Sequence, residues 1–285
     1  MAACFLLIGD SLFLNTMEKP TAVTVFIDRQ ELKSISLKRV VMVDVYLPAV
    51  TGAFHLLLFN DGQSMEEAGL KNILEDLYHK NEIAPLCSVA IHAGEDRKNE
   101  YGIAAQTDYL GRGAKAADYH FFILKELLPW LRQYYKSFSF TGISIAGFSL
   151  GGLTAMDIGW IYPEVFSTVG IFSGSFWWRS VSQENELYED DKHRIMQQQI
   201  RNGSYHPGLK FFFQCGNKDE TQDRNGNGII DSIDDTLDII KELEAKGYQK
   251  GKDIAYLEMP DGRHDMATWA KALPVFLKWG WGKVN

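Results

Sequence analysis

The run Gly147-Phe148-Ser149-Leu150-Gly151-Gly152 constrains this chain most, because it joins a strand-like apolar stretch, Gly142 to Ala146, to a helix-like one. A strand that turns sharply into a helix around a serine strains that serine's backbone, and its flanking neighbours can carry no bulky Cβ. The spacing G-x-S-x-G therefore reads as a turn that lifts Ser149 Oγ out of a sheet. It also places the Leu150 amide at the start of a helix, where unpaired N–H groups and the helix dipole favour a developing negative charge. A Gly/Ser-rich turn without chemistry has the same composition, so the rest of the chain must separate the two readings.

Length and composition allow one large core. The 285 residues are 46% hydrophobic and 13% aromatic, which suits a single α/β domain over 21–285 after an N-terminal extension, 1–20. A formal net charge of −8 gives no general attraction to nucleic acid or to an anionic membrane surface. Met1 to Leu14 is apolar, but it lacks a basic start and is broken by Gly9, Asp10 and Ser11, so a secretory signal is weakly supported and Met17 is an alternative start. A cytoplasmic location is expected. The cysteines, Cys4, Cys87 and Cys215, are odd in number, and the last two lie in or beside apolar runs, which reads as buried thiols rather than a disulfide framework.

Strand signals fall at Thr21 to Ile27, Arg39 to Leu47, Phe54 to Phe59, Cys87 to His92, Ile143 to Ala146, Thr168 to Phe172, Leu209 to Cys215 and Ile254 to Met259. Helix-like segments fall at Met65 to Lys80, Lys115 to Tyr135 with an interruption at Pro129, Leu153 to Trp160, Asp234 to Lys246 and Met266 to Trp279. Alternation of this kind, with continuous apolar strands, predicts a mostly parallel sheet covered on both faces. Ser180 to Pro207 breaks the rhythm: it is polar and poor in strand signal, with a helical candidate around Lys192 to Arg201, and reads as a cap-like insertion.

A serine hydroxyl is a poor nucleophile at neutral pH and needs a histidine base, itself oriented by a carboxylate. On the G-x-S-x-G template the three follow in the order Ser, acid, His, each past the end of a strand. Of seven histidines only His193, His206 and His264 follow Ser149, and only His264 follows a strand and opens a helix. The preceding strand, Leu209 to Cys215, runs into Gly216-Asn217-Lys218-Asp219-Glu220, which makes Asp219 the acid with Glu220 as runner-up. The order and placement point to hydrolysis by a serine nucleophile. A second oxyanion amide is expected after the third strand, in Asn60-Asp61-Gly62-Gln63-Ser64, at Gln63 or Ser64.

The chain at this point resembles the esterase D and enterochelin-esterase-like branch of the α/β-hydrolases, which also holds feruloyl esterases and mycolyltransferases. The matching residues are Val45-Tyr46-Leu47-Pro48, Asn60 to Gln63, Glu126-Leu127-Leu128-Pro129, Gly147 to Gly152, Phe172 to Trp178, the Gly216 to Asp219 turn, and Gly262-Arg263-His264-Asp265 with Trp269. The resemblance implies an α/β-hydrolase fold and a serine carboxylesterase with Ser149, Asp219 and His264 as its triad. It implies no cofactor for catalysis and a small-molecule ester substrate, whether aryl, sugar, siderophore or thiol ester. Acyl transfer on the same fold, or a non-catalytic binding protein on this scaffold, are the alternatives. The loop after the third strand departs from the pattern by lacking a His-Gly-Gly oxyanion motif.

A second departure follows the acid. Asp223 to Asp234 fits the calcium-loop template D-x-[DN]-x-[DN]-G, with Asp223, Asn225, Asn227, the Ile229 carbonyl, Asp231 and Asp234 as ligands and Gly228 at the sharp turn. An Asx-rich turn that caps the next helix would look similar. The expected role of Ca²⁺ is structural, ordering the acid-bearing loop. Among substrate clues, Trp177 and Trp178 follow the sixth strand and could line a pocket, with core packing as the alternative for one of them. Arg97, Glu100, Tyr101 and Arg112, after the fourth strand, could contact a polar leaving group.

Overall fold

The computed structural model describes residues 23–283. The extension expected over 1–20, with Cys4 and Met17, lies outside the described residues. One sheet contains β1 (Val25–Ser34), β2 (Arg39–Pro48), β3 (Ala53–Asn60), β4 (Leu86–Ile91), β5 (Ser139–Phe148), β6 (Phe166–Phe172), β7 (Lys210–Lys218) and β8 (Ile254–Arg263). Their order is β1-β2-β4-β3-β5-β6-β7-β8. The β1/β2 and β2/β4 pairs are antiparallel and every later pair is parallel.

The helices are α1 (Leu70–His79), α2 (Arg97–Glu100), α3 (Ala116–Phe121), α4 (Leu128–Tyr134), α5 (Leu150–Ile161), α6 (Asp190–His193), α7 (Ile195–Asn202), α8 (Asp231–Lys246) and α9 (Met266–Trp281). Alternate side chains of one strand serve different cores, as a two-residue repeat requires. Leu56 and Leu58 of β3 join Leu153 and Met156 of α5 and Ile239 of α8 on one face. Leu57 and Phe59 join Leu74 of α1 and Phe276 of α9 on the other. β4, Leu-Cys-Ser-Val-Ala-Ile, is buried at every residue because helices cover it on both sides.

Three sequence expectations shift. The first strand runs further than the Ile27 expected, through the polar stretch Asp28 to Lys33, because β1 is an edge strand paired along its whole length with β2 and one face can stay wet; Thr21 and Ala22 of that expectation lie outside the described residues. The helix expected from Met65 begins at Leu70, after a tight turn over Gly62–Ser64. Pro129 does not break its helix: a π-helical turn, Phe122–Leu127, precedes it, and the Leu128 amide reaches the Ile123 carbonyl. The wider turn accommodates the proline ring, which would clash in a regular α-turn.

The insertion at 180–207 carries α6 and α7, and Ile195, Met196 and Ile200 of α7 sink into the core on the α8 side. It is thus packed into the body of the fold. Cys87 and Cys215 are free and buried, as expected, and burial pushes the Cys87 thiol up to about 12. Among the described residues, no helix is long and apolar enough to cross a membrane.

Candidate active site

The C-terminal ends of β3, β5, β6, β7 and β8 lie along one edge of the sheet, the edge where open α/β folds carry ligands. Ser149 turns β5 into α5 with φ 53 and ψ −121, outside the regions open to ordinary residues. Its own amide donates to the Phe172 carbonyl at 2.8 Å, and its carbonyl accepts from Gly152 and Leu153 at 3.0 and 3.2 Å. The flanking glycines are steric requirements: a Cβ on Gly147 would stand 2.3 Å from the Gly151 carbonyl oxygen, and one on Gly151 would stand 2.6 Å from Asp61 Oδ2. From Leu150 to Trp160 every residue of α5 is buried, so this helix is packed on all sides.

Asp219 follows β7 and His264 follows β8, as the sequence placed them. With Ser149, Ser173, Gly174, Ser175, Trp177, Glu220 and Ser232 they line one cavity of about 280 Å³. Both carboxylate oxygens of Asp219 are buried and have no hydrogen-bond partner, a costly state that a nearby N–H donor would relieve. The His264 ring stands edge-on to Trp269, 5.1 Å between centroids, while Asp265 caps α9 by accepting from the Thr268 amide at 2.8 Å. Desolvation lowers the His264 pKa below its ordinary value, against the pull of Asp219 and Asp265 and with help from Arg97. Glu220 shares the cavity, and burial raises its pKa, with Asp231, Asp235 and Asp219 adding to the rise.

A second cavity of about 200 Å³ opens on the other side of Ser149, lined by Asp61, Gln63, Ser64, Arg97, Phe148, Met266 and Trp269. Gly62 lets the turn press onto β4, since a Cβ there would meet the Ala90 carbonyl carbon at 2.3 Å. The Ser64 amide donates to Asp61 O at 3.0 Å and so is engaged within the turn. The turn is tied to the elbow helix through Asn60, whose Nδ2 donates to Gly151 O at 2.8 Å while Tyr119 OH donates to its Oδ1 at 2.7 Å.

The two tryptophans part company. Trp177 borders the cavity and carries the Arg112 guanidinium 4.7 Å above its ring. Trp178 is fully buried, lies over Gly102 and Gly113, and donates from Nε1 to Gln106 O, so its place is in the core rather than against a substrate. Glu100 is buried and paired with Arg39, two contacts of 2.7 Å, and Tyr101 is buried with its hydroxyl accepting from the Asp61 amide. Of the four polar residues singled out after β4, only Arg97 reaches a cavity at Ser149. Ser173 and Ser175 were not singled out from the sequence, although Ser175 Oγ stands 3.4 Å from Ser149 Oγ; their position just past β6 was the available signal.

The segment Asp223 to Asp234 is a turn in which Asp and Asn side chains accept from nearby backbone amides. Gly226 and Gly228 have φ 68 and 84, Asp223 accepts from the Asn227 and Gly228 amides, and Asn227 Oδ1 accepts from Ile229 N. Asn225 Nδ2 reaches Asp234 Oδ2 at 2.8 Å, drawing the ends of the loop together. Arg224 is folded beneath it, 3.1 Å from Asp231, 3.1 Å from Asp190 and 2.8 Å from Asp235. Among the described residues, no trio of His, Cys, Asp or Glu is grouped closely enough to hold a metal on its own, so any coordination would depend on the Asn225 and Asn227 oxygens and the Ile229 carbonyl. Such neutral oxygens suit a hard cation.

The strand order and the serine turn define an α/β-hydrolase fold. The chain belongs to the Esterase family, described as "Putative esterase", which matches residues 34–279. Among solved structures it is similar to the enterobactin esterase of Shigella flexneri, with a TM-score of 0.66 and 21% identity over 90% of this chain and 60% of that one. An IroE-like serine hydrolase from Shewanella oneidensis matches with a TM-score of 0.67 and 18% identity over 89% and 79% of the two chains. The siderophore hydrolase EstB from Aspergillus nidulans gives 0.68 and 14% over 88% and 94%. The chain spans about six tenths of the length of the Shigella enzyme. No curated protein matches it.

The contrast between the tryptophans has a measurable consequence. Trp178→Ala is expected to cost about 3–5 kcal/mol of stability by urea denaturation, the usual penalty for emptying a large core site, whereas Trp177→Ala, half-buried at the cavity edge, is expected to cost well under half of that.

Proposed function

We propose that this chain is a serine carboxylic-ester hydrolase that works through an acyl-enzyme on small-molecule esters. The observation that carries the reading is the convergence of Ser149, Asp219 and His264, from the ends of three different strands, on one cavity. Ser149 Oγ attacks the ester carbonyl while neutral His264 takes its proton; the same imidazole then protonates the leaving alcohol. The buried Asp219 carboxylate, without another partner, orients the ring and stabilises its charged form. The Leu150 amide at the start of α5 and the Gln63 amide across the second cavity hold the oxyanion. Water, activated by His264, releases the acid in a second pass.

The cavities fit a compact ester. Trp177, backed by Arg112, offers an aromatic face beside the nucleophile, and the similar structures are described as siderophore and ferulic acid esterases. Those names support esters of aromatic acids as the class to assay first.

We further propose that the 223–234 loop binds Ca²⁺ in a structural role. Asp223, Asn225, Asn227, the Ile229 carbonyl, Asp231 and Asp234 would hold the ion, and its charge would steady the segment between Asp219 and α8. Arg224 neutralises Asp231 from the side, so the ion adds to a loop already partly balanced.

Three outcomes follow from these readings. Ser149→Ala is expected to abolish turnover of p-nitrophenyl acetate and labelling by a fluorophosphonate while the melting temperature holds; persistent turnover would remove Ser149 as nucleophile. Because His264 must be neutral to accept a proton and its pKa is lowered, kcat/KM should fall on the acid side with a midpoint below the ordinary imidazole value of about 6.5, activity being kept above it and lost below. Excess chelator should lower the melting temperature by several degrees and added Ca²⁺ restore it, since a ligand at about a hundred times its Kd contributes about 2.7 kcal/mol; an unmoved transition would leave Arg224 as the only cation of the loop.

A further inference from the structure

Asp61 occupies the left-handed region, φ 58 and ψ 44, a conformation that costs a non-glycine residue on the order of 1 kcal/mol. Something must hold it there. Its carboxylate accepts two parallel bonds from Arg97, Nε to Oδ1 at 2.6 Å and Nη2 to Oδ2 at 2.7 Å. Its amide donates to Tyr101 OH at 3.1 Å, and the Arg97 guanidinium lies 5.1 Å over that same tyrosine ring. On its far side Oδ2 sits where Gly151 has no Cβ. The carboxylate side chain is 8% exposed and that of Arg97 31%, so the pair is screened far less than a surface ion pair. The pair is wedged between the Asp61–Ser64 turn and the helix that begins at Leu150.

We propose that Arg97 is a positioning residue: its fork on Asp61 fixes the turn so that the Gln63 amide faces the oxygen of an ester carbonyl held over Ser149. The inference rests on the reading of Ser149 as nucleophile and Gln63 as oxyanion donor. Two parallel N–H···O bonds fix both the distance and the plane of the carboxylate, which the single point charge of a lysine cannot do. Negative charge appears on the substrate oxygen only as the bond to Ser149 forms, so a displaced donor lowers kcat and leaves ground-state binding alone. A substrate-binding arginine would show the reverse split. The positive charge of Arg97 also helps to lower the His264 pKa, which is set first by desolvation and raised by Asp219 and Asp265. Loss of that charge should move the acid limb of the rate profile upward.

The test compares wild type, Arg97→Lys and Arg97→Met for hydrolysis of p-nitrophenyl acetate, inhibition by an alkyl boronic acid that mimics the tetrahedral adduct, and fluorophosphonate labelling. Arg97→Met is expected to lose on the order of 10²-fold in kcat with KM within about twofold, to weaken the boronate by a similar factor, and to shift the acid limb upward. Arg97→Lys is expected to keep the wild-type acid limb, because it keeps the charge, yet to lose about tenfold in kcat because the fork is gone. It also carries the test if the methionine variant does not fold. A folded variant with kcat within about twofold of wild type, or one whose loss lies in KM alone, overturns the proposal. Wild type that neither turns over ester nor takes the label overturns the reading of Ser149 itself, a failure distinct from that of Arg97.

Discussion

Ser149 can hold its strained backbone only because both of its ends are fixed by structures that cannot yield. On one side its amide is bonded to β6 through Phe172 O. On the other it opens α5, which is buried on every face. The glycines at 147 and 151 leave room for no side chain, so the carbonyl of Gly151 and the carboxylate of Asp61 occupy that space. Close packing makes the turn rigid, and a rigid turn keeps Ser149 Oγ at the sheet edge, without reorganisation when charge develops. The rest of the site is arranged around this point: Asn60 bonds Gly151 O from β3, and Ser175 approaches Ser149 Oγ from the end of β6.

The acid side is held by charge as well as by the packing of α7. Arg224 faces Asp190, Asp231 and Asp235, and Arg194 faces Asp235 and Asp238, all at 2.8 to 3.1 Å. These pairs fasten the 180–207 insertion to the first turns of α8 and to the loop that follows Asp219. Such a network is sensitive to the loss of any one partner, because a lone buried charge is far more costly than a paired one. Together with α7 packing into the core, it makes the cap-like insertion part of the body. Around Arg224 and Arg194 the acidic groups, Asp190, Asp231, Asp235 and Asp238, outnumber the guanidinium groups.

Much of the architecture was legible because parallel strands covered on both faces write continuous apolar runs, as in β4 and the middle of β3. The edge strand β1 was misjudged where its residues turned polar, since only its pairing with β2 stabilises that stretch. Helix α1 was placed too early because the apolar spacing from Met65 continues through a turn. The placement of Ser149, Asp219 and His264 past the ends of β5, β7 and β8 could be read from motif, chain order and strand ends. Trp177 and Trp178 could not be told apart by composition: adjacent residues point in different directions, and only the loops that pack over Trp178 bury it. Glu100 and Tyr101 failed as substrate contacts for the same reason, each finding a buried partner distant in sequence.

The sequence by itself determined the elbow, because its glycine spacing is a local steric demand, and the alternation of strands and helices, because side-chain periodicity is local too. It also determined the spacing of oxygen donors after Asp219. Tertiary structure alone decided which turn borders the cavity at Ser149, which tryptophan meets the cavity and what Arg97 holds. Those depend on side chains meeting across strand ends far apart along the chain, and no local pattern records which of two neighbouring residues will face the partner.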